Sequence, residues 1–158
     1  MIDILNIILK DTYTVSQLKR RVRMLQYYFQ QKFFQSAINE AISPEDAAWF
    51  KTLPASFLNL FNKDNLSQII AQLSSQINKM PVITVFLPFE ASEGTLDQIG
   101  IKARSLFNPA LVLDIKYNPS LTAGCAISWK GIYKDFSLHS RIEERKPAIL
   151  ESFKKFLR

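Results

Sequence analysis

From Thr14 to about Ile42 the apolar residues Val15, Leu18, Val22, Leu25, Phe29, Phe33 and Ile38 recur at intervals close to one helical face. One long amphipathic helix is expected there, and Thr14 with Gln17 has capping-box spacing at its start. Ser43-Pro44-Glu45-Asp46 then begins a second helix: a hydroxyl cap, a proline where its missing N–H costs nothing, and two carboxylates against the positive end of the dipole. That helix should end near Leu53. Pro54 opens a short helical piece, and Leu66, Ile69, Ile70, Leu73, Ile77 and Met80 resume the helical period with Asp64 as the expected cap.

After Met80 the period changes. "VITVFL" (Val82–Leu87) is a short apolar run rich in β-branched residues between two prolines, which predicts a strand covered on both faces. Leu96, Ile99, Ala103 and Phe107 return to helical spacing, with Thr95 and Gln98 as a second capping box and Gly100 costing the helix about 1 kcal/mol relative to Ala. "LVLDIKY" (Leu111–Tyr117) and "CAISWK" (Cys125–Lys130) alternate like strands, and Lys130-Gly131 offers a tight turn into "IYK". Asp135 and Ser137 prepare a last helix, which Pro147 should interrupt. The fold class expected is α+β: an all-helical N-terminal bundle over 1–80, then a small β-α-β-β-α C-terminal domain over 81–158 with a mixed sheet.

Composition narrows the function classes. With 47% hydrophobic and 22% charged residues the chain can bury a core, and no apolar run approaches the roughly 20 residues of a spanning helix. Asp3 stands where a secretory signal would carry basic residues, so an intracellular setting is expected, and the single Cys125 suits a reducing compartment. The formal net charge of +6 favours anionic partners without choosing among them. Its densest part, Lys19 to Arg23, could track a phosphate backbone, which makes a small basic nucleic-acid-binding protein one candidate; the wet face of an amphipathic helix is the plainer reading. Tyr28 and Phe34 fall off the apolar seam, where exposed aromatics can mark a partner groove.

Catalytic chemistry has little to work with. His139 is the sole histidine, Glu143 and Glu144 point about 100° apart on a helix, and no ligand cluster has metal spacing. The four glycines, Gly94, Gly100, Gly124 and Gly131, are too scattered to cradle a phosphate. Neither a cofactor nor a metal is expected.

One stretch is more specific. Asn118-Pro119-Ser120-Leu121, then Gly124, an alternating strand, Gly131, Asp135, Ser137, Arg141 and Ile142 resembles the C-terminal signature of the delta subunit of F-type ATP synthases, the bacterial counterpart of the mitochondrial oligomycin-sensitivity-conferring protein. "SFLNLFNKDNLSQIIAQLSSQI" is similar to the last helices of that family's N-terminal domain, so the resemblance spans roughly Ala55 to Ile142. Ala123-Gly124 stands for the family's two glycines and Asp135-Phe136-Ser137 for its Asp-Gly-Ser, while the helical segment before Met80 is shorter than the family's. The end of the chain is also loosely similar to the E-type peripheral-stalk protein of V/A-type ATPases.

The resemblance implies a non-catalytic, peripheral part of an ATP-synthesising complex on the cytoplasmic membrane face, touching the membrane only through the complex. Its partners would be the N-terminal segments of the alpha subunits and the C-terminal helices of the peripheral-stalk b subunits. Elementary chemistry gives the signature residues structural roles: Pro119 fixes a turn, Gly124 and Gly131 allow close approach and reversal, and Asp135 and Ser137 cap a helix. Arg141 should pair with Asp135 or Asp114. Tyr28, Phe34, Lys19 and Arg23 are the expected partner-facing residues.

Overall fold

The computed structural model describes residues 4–35 and 42–156. Among them are seven α-helices and a four-stranded mixed sheet, helices first and sheet later, an α+β arrangement. The helical half comprises α1 (Ile4–Leu9), α2 (Val15–Phe34), α3 (Pro44–Thr52), α4 (Ala55–Leu58) and α5 (Leu66–Asn78). The sheet half comprises β1 (Val82–Leu87), α6 (Glu93–Leu106), β2 (Val112–Tyr117), β3 (Ala126–Trp129), β4 (Ile132–Asp135) and α7 (Leu138–Phe156). None of the described helices is long and apolar enough to cross a membrane.

Helix α2 begins where its capping box says it should. The Thr14 hydroxyl accepts from Gln17 N–H at 3.2 Å, and the Gln17 side-chain carbonyl accepts from the N–H groups of Thr14 and Tyr13. Its seam buries Leu18, Val22, Leu25 and Phe29 against α1, α3 and α5, with Phe29 stacked on Phe61 at 4.3 Å. The helix is shorter than its period predicts: it stops at Phe34, where Gln35 turns left-handed at φ 52°, and Ile42 is not helical. Ile38 lies outside the described residues. Ser43 caps α3 as expected, accepting from Asp46 N–H at 3.2 Å. Asp64 does not cap α5; Asn62 and Asn65 lace that turn together, each side chain accepting from the other's backbone N–H.

In the sheet half the strand order is β2-β1-β3-β4, parallel between β1 and β2 and antiparallel elsewhere. β1 is covered on one face rather than both: Ile83, Val85 and Leu87 are buried, and the residues between them are partly open. Lys130 and Gly131, at φ 48° and 80°, make the two-residue reversal from β3 to β4. Ser92, not Thr95, caps α6, since the Ser92 hydroxyl accepts from Thr95 N–H. α7 runs through Pro147 without a break. By helical phase Pro147 falls opposite the apolar residues of α7, where water can serve the carbonyl that its missing N–H leaves free.

The halves meet at the loop between α1 and α2. Leu113 N–H donates to Tyr13 carbonyl at 2.9 Å, so the loop adds a bridge to the free edge of β2. Arg104, near the end of α6, donates to the carbonyls of Leu9, Thr12 and Leu111 at 2.7, 2.6 and 2.9 Å and lies over the Tyr13 ring. Burial lowers the Arg104 pKa below its ordinary value, so the three carbonyls take the place of lost hydration. Gln17 spends its amide nitrogen on Asp97 at 3.1 Å, and Arg20 reaches Glu93 at 2.6 Å.

The same joint explains Gly100. A Cβ there would stand 2.3 Å from Tyr13 Cβ, an atom with no flexible stem to move. Helix propensity alone would reward Gly100→Ala by about 1 kcal/mol, but overpacking costs about 1–3 kcal/mol. We therefore expect Gly100→Ala to lower the urea unfolding midpoint; a raised midpoint would mean that Tyr13 does not pack there.

Candidate docking surfaces

The signature residues assemble a corner that aims α7. Pro119, Ser120 and Leu121 form one 3-10 turn, in which Asn118 accepts from the Ser120 N–H and hydroxyl and Leu121 is buried. Gly124 sits at φ 91° directly against the backbone leaving β4: a Cβ would lie 2.7 Å from Phe136 carbonyl oxygen and 3.0 Å from Ser137 Cα. Only glycine meets both demands. Asp135 accepts from Ser137 N–H at 2.7 Å, the buried Ser137 hydroxyl accepts from Ser140 N–H at 3.2 Å, and Leu138 N–H donates to Ala123 carbonyl at 2.9 Å. Hydrogen bonding by Ser137, through its hydroxyl and its backbone N–H, draws the Asp135 carboxyl below its ordinary value.

Beyond the corner α7 touches little. Leu138, Ile142, Ile149, Phe153 and Phe156 recur at helical spacing, all exposed, from Ile149 at 43% to Phe156 at 87%. Arg141 stands exposed on the same helix and pairs with neither Asp135 nor Asp114, contrary to expectation; Asp114 is 3.8 Å from Lys116. Of the nine signature residues, Pro119 to Ser137 build the corner and its approach, while Arg141 and Ile142 face outward.

The basic cluster divides. Asp46, 1% exposed, holds both Arg20 and Arg21, and Arg21 also donates to Thr12 and to the Asp11 carbonyl while lying over Trp49 at 4.8 Å. The hydrogen bond to Asp46 raises the Arg20 pKa, as a paired guanidinium requires. Of the four cations Arg21 is buried, and Arg20, though exposed, is paired with Asp46 and Glu93, so half of the stripe that could track a phosphate backbone is already matched by the protein's own carboxylates. The expected aromatics are partly open: Tyr28 lies on Phe50 at 4.7 Å, and Phe34 stands exposed beneath the Lys63 ammonium. Tyr28 and Phe50 line a hollow of about 230 Å³ with Met24, Ile42, Ala47 and Lys51.

No protein-family profile matches this chain, and no curated protein matches it by sequence. Its surfaces are therefore described by their own chemistry: two apolar faces on the sheet half, α7 and the groove beside α6, and a smaller hollow on the helical half.

Sequence reasoning placed the corner but missed the uses of Asp46 and Arg104. Asp46 read only as a dipole complement and Arg104 drew no reading, because their partners lie 25 and 95 positions away. The stripe of α7 was present as a period in the sequence, concealed by Pro147, which read as a stop.

The corner yields a pH test. A carboxyl whose folded pKa is depressed contributes stability above its ordinary value, 3.8 here, and loses it as pH falls through the lower folded value. We expect the wild type to lose this contribution along its acid unfolding limb, and Asp135→Asn to flatten that limb while weakening α7 at neutral pH. An acid limb identical in both proteins would remove Asp135 from the cap.

Proposed function

We propose that this chain is a non-catalytic connector subunit, in the manner of the delta subunit of a rotary F-type ATP synthase. It would link the N-terminal segments of the alpha subunits to the C-terminal helices of the peripheral-stalk b subunits and resist torque during ion-driven ATP synthesis. The observation that carries this reading is the uncovered apolar stripe of α7, held at a fixed angle by the corner from Pro119 to Ser137. Free apolar faces on a monomer mark partner sites, and an amphipathic helix finds its partner through residues spaced as Ile142, Ile149 and Phe153 are.

The joint supports the same reading. A connector must pass force between partners, and an interface made of backbone pairing and an arginine gripping three carbonyls leaves little play between the halves. On the helical half, the hollow beside Tyr28 supplies a second, separate place for a partner segment. The nucleic-acid reading keeps Lys19 and Arg23 and loses Arg20 and Arg21 to Asp46, so no observation favours it.

The test is recovery of partners. Tagged chain isolated from gently solubilised source membranes, after nuclease treatment, should bring down alpha, beta and b subunits identified by mass spectrometry. The doubly substituted Ile149→Glu, Phe153→Glu chain should lose the b subunits while unfolding at an unchanged midpoint, because both side chains are exposed. Recovery that disappears with nuclease, without those subunits, would overturn the proposal.

A further inference from the structure

The α6 face of the sheet is one helix short. The β1-α6-β2 crossover lays α6 beside β1 and β2, and burial falls off across the strands: Ile83 is 4% exposed, Ile127 and Trp129 are half-buried, and Ile132 is 64% exposed. Register puts these side chains on one face, with Val85 opposite Ile127, Ile127 opposite Lys134, and Trp129 opposite Ile132. The bare β3–β4 ribbon and the end of α6 at Phe107 enclose a groove of about 680 Å³. Two strands at about 4.8 Å spacing give it the width of one helix, about 10 Å.

The chain's own α7 does not fill it. The corner hydrogen bonds at Ala123, Asp135 and Ser137 direct α7 away, and Gly124 leaves no room to repack the exit from β4. The α7 of a second copy fits poorly by charge. It carries Arg141, Arg145, Lys146, Lys154 and Lys155 against three glutamates, while the lysines of the groove are Lys130 and Lys134. A flat lipid surface does not enter a concave cleft.

We propose that this groove takes an amphipathic helix of a partner protein whose apolar stripe is flanked by Asp and Glu. The inference deepens the connector reading and rests on it only in assigning the occupant to a partner protein. The apolar stripe would complete the second layer over β3 and β4, and the acidic flanks would meet Lys130 and Lys134.

The probe is a labelled synthetic helix with a leucine stripe and glutamate flanks, titrated into the full chain by fluorescence anisotropy beside a lysine-flanked twin and anionic lipid vesicles. The glutamate-flanked helix should bind about tenfold or more tighter than its twin and weaken with salt. Ile132→Glu should abolish binding and Lys134→Glu should favour the twin; both side chains are exposed, so folding survives and unfolding midpoints verify it. Equal binding of both helices, binding of neither, binding of vesicles alone, or dimers dispersed by Ile132→Glu would each overturn the proposal. If b subunits are recovered from membranes but the acidic helix does not bind, the groove assignment falls and the connector reading stands. The converse result keeps the groove and removes the connector.

Discussion

The guanidinium of Arg104 closes the joint on which the rest of this molecule depends. It draws together the last residue of α1, the loop before α2 and the residue that leads into β2, and so joins the short stretch from Leu9 to Thr12 to Leu111, far along the chain. A planar fork of donors suits that task where a lysine's single ammonium does not. Tyr13 lies between this guanidinium and the bare backbone at Gly100, which fixes how closely α6 approaches the α1–α2 loop. The Thr14–Leu113 bridge then adds that loop to the sheet edge, and Gln17 ties the first turn of α2 to Asp97. Two apolar clusters, one under the helices and one under α6, are thereby held in a fixed relation.

A second rigid element sits at the far end. The corner from Pro119 to Ser137 uses the left-handed Gly124, Asx-type turns at Asn118 and Asp135, and the Ser137 hydroxyl cap to set the direction of α7. Rigidity at both places has a common effect: the apolar faces of the sheet half are presented rather than folded away. Proteins seldom leave a helix of 19 residues with its apolar stripe in water unless something covers it. The connector proposal and the groove proposal rest on different faces of this half, the first on α7 and the second on the β3–β4 ribbon.

Much of the fold could be read from local pattern. The capping box at Thr14, the Ser43-Pro44 start, the Lys130-Gly131 reversal and the Asp135-Ser137 cap are interactions over two to four residues, and each is seen in the structure. What local pattern missed was tertiary. Asp46 and Arg104 gain their meaning from partners in distant segments, and the single-sided cover of β1 depends on α6 packing against the face of Ile83, Val85 and Leu87 and leaving Thr84 and Phe86 partly open. Pro147 misled because its cost depends on whether the freed carbonyl faces water, a fact of helix phase and surroundings rather than of residue type. The basic cluster misled for a related reason: four clustered cations look alike in sequence, and only packing against Asp46 and Trp49 separates Arg20 and Arg21 from Lys19 and Arg23.

The central claim, that α7 presents its apolar stripe to a stalk helix, is most directly tested by site-specific photo-crosslinking in source membranes. A photoreactive side chain at position 149, on the stripe, is compared with one at position 144, on the opposite side of the helix. Adducts with a b subunit are expected from 149, and few from 144. Equal labelling from both faces, or adducts at 149 with lipid or nucleic acid alone, would contradict the claim.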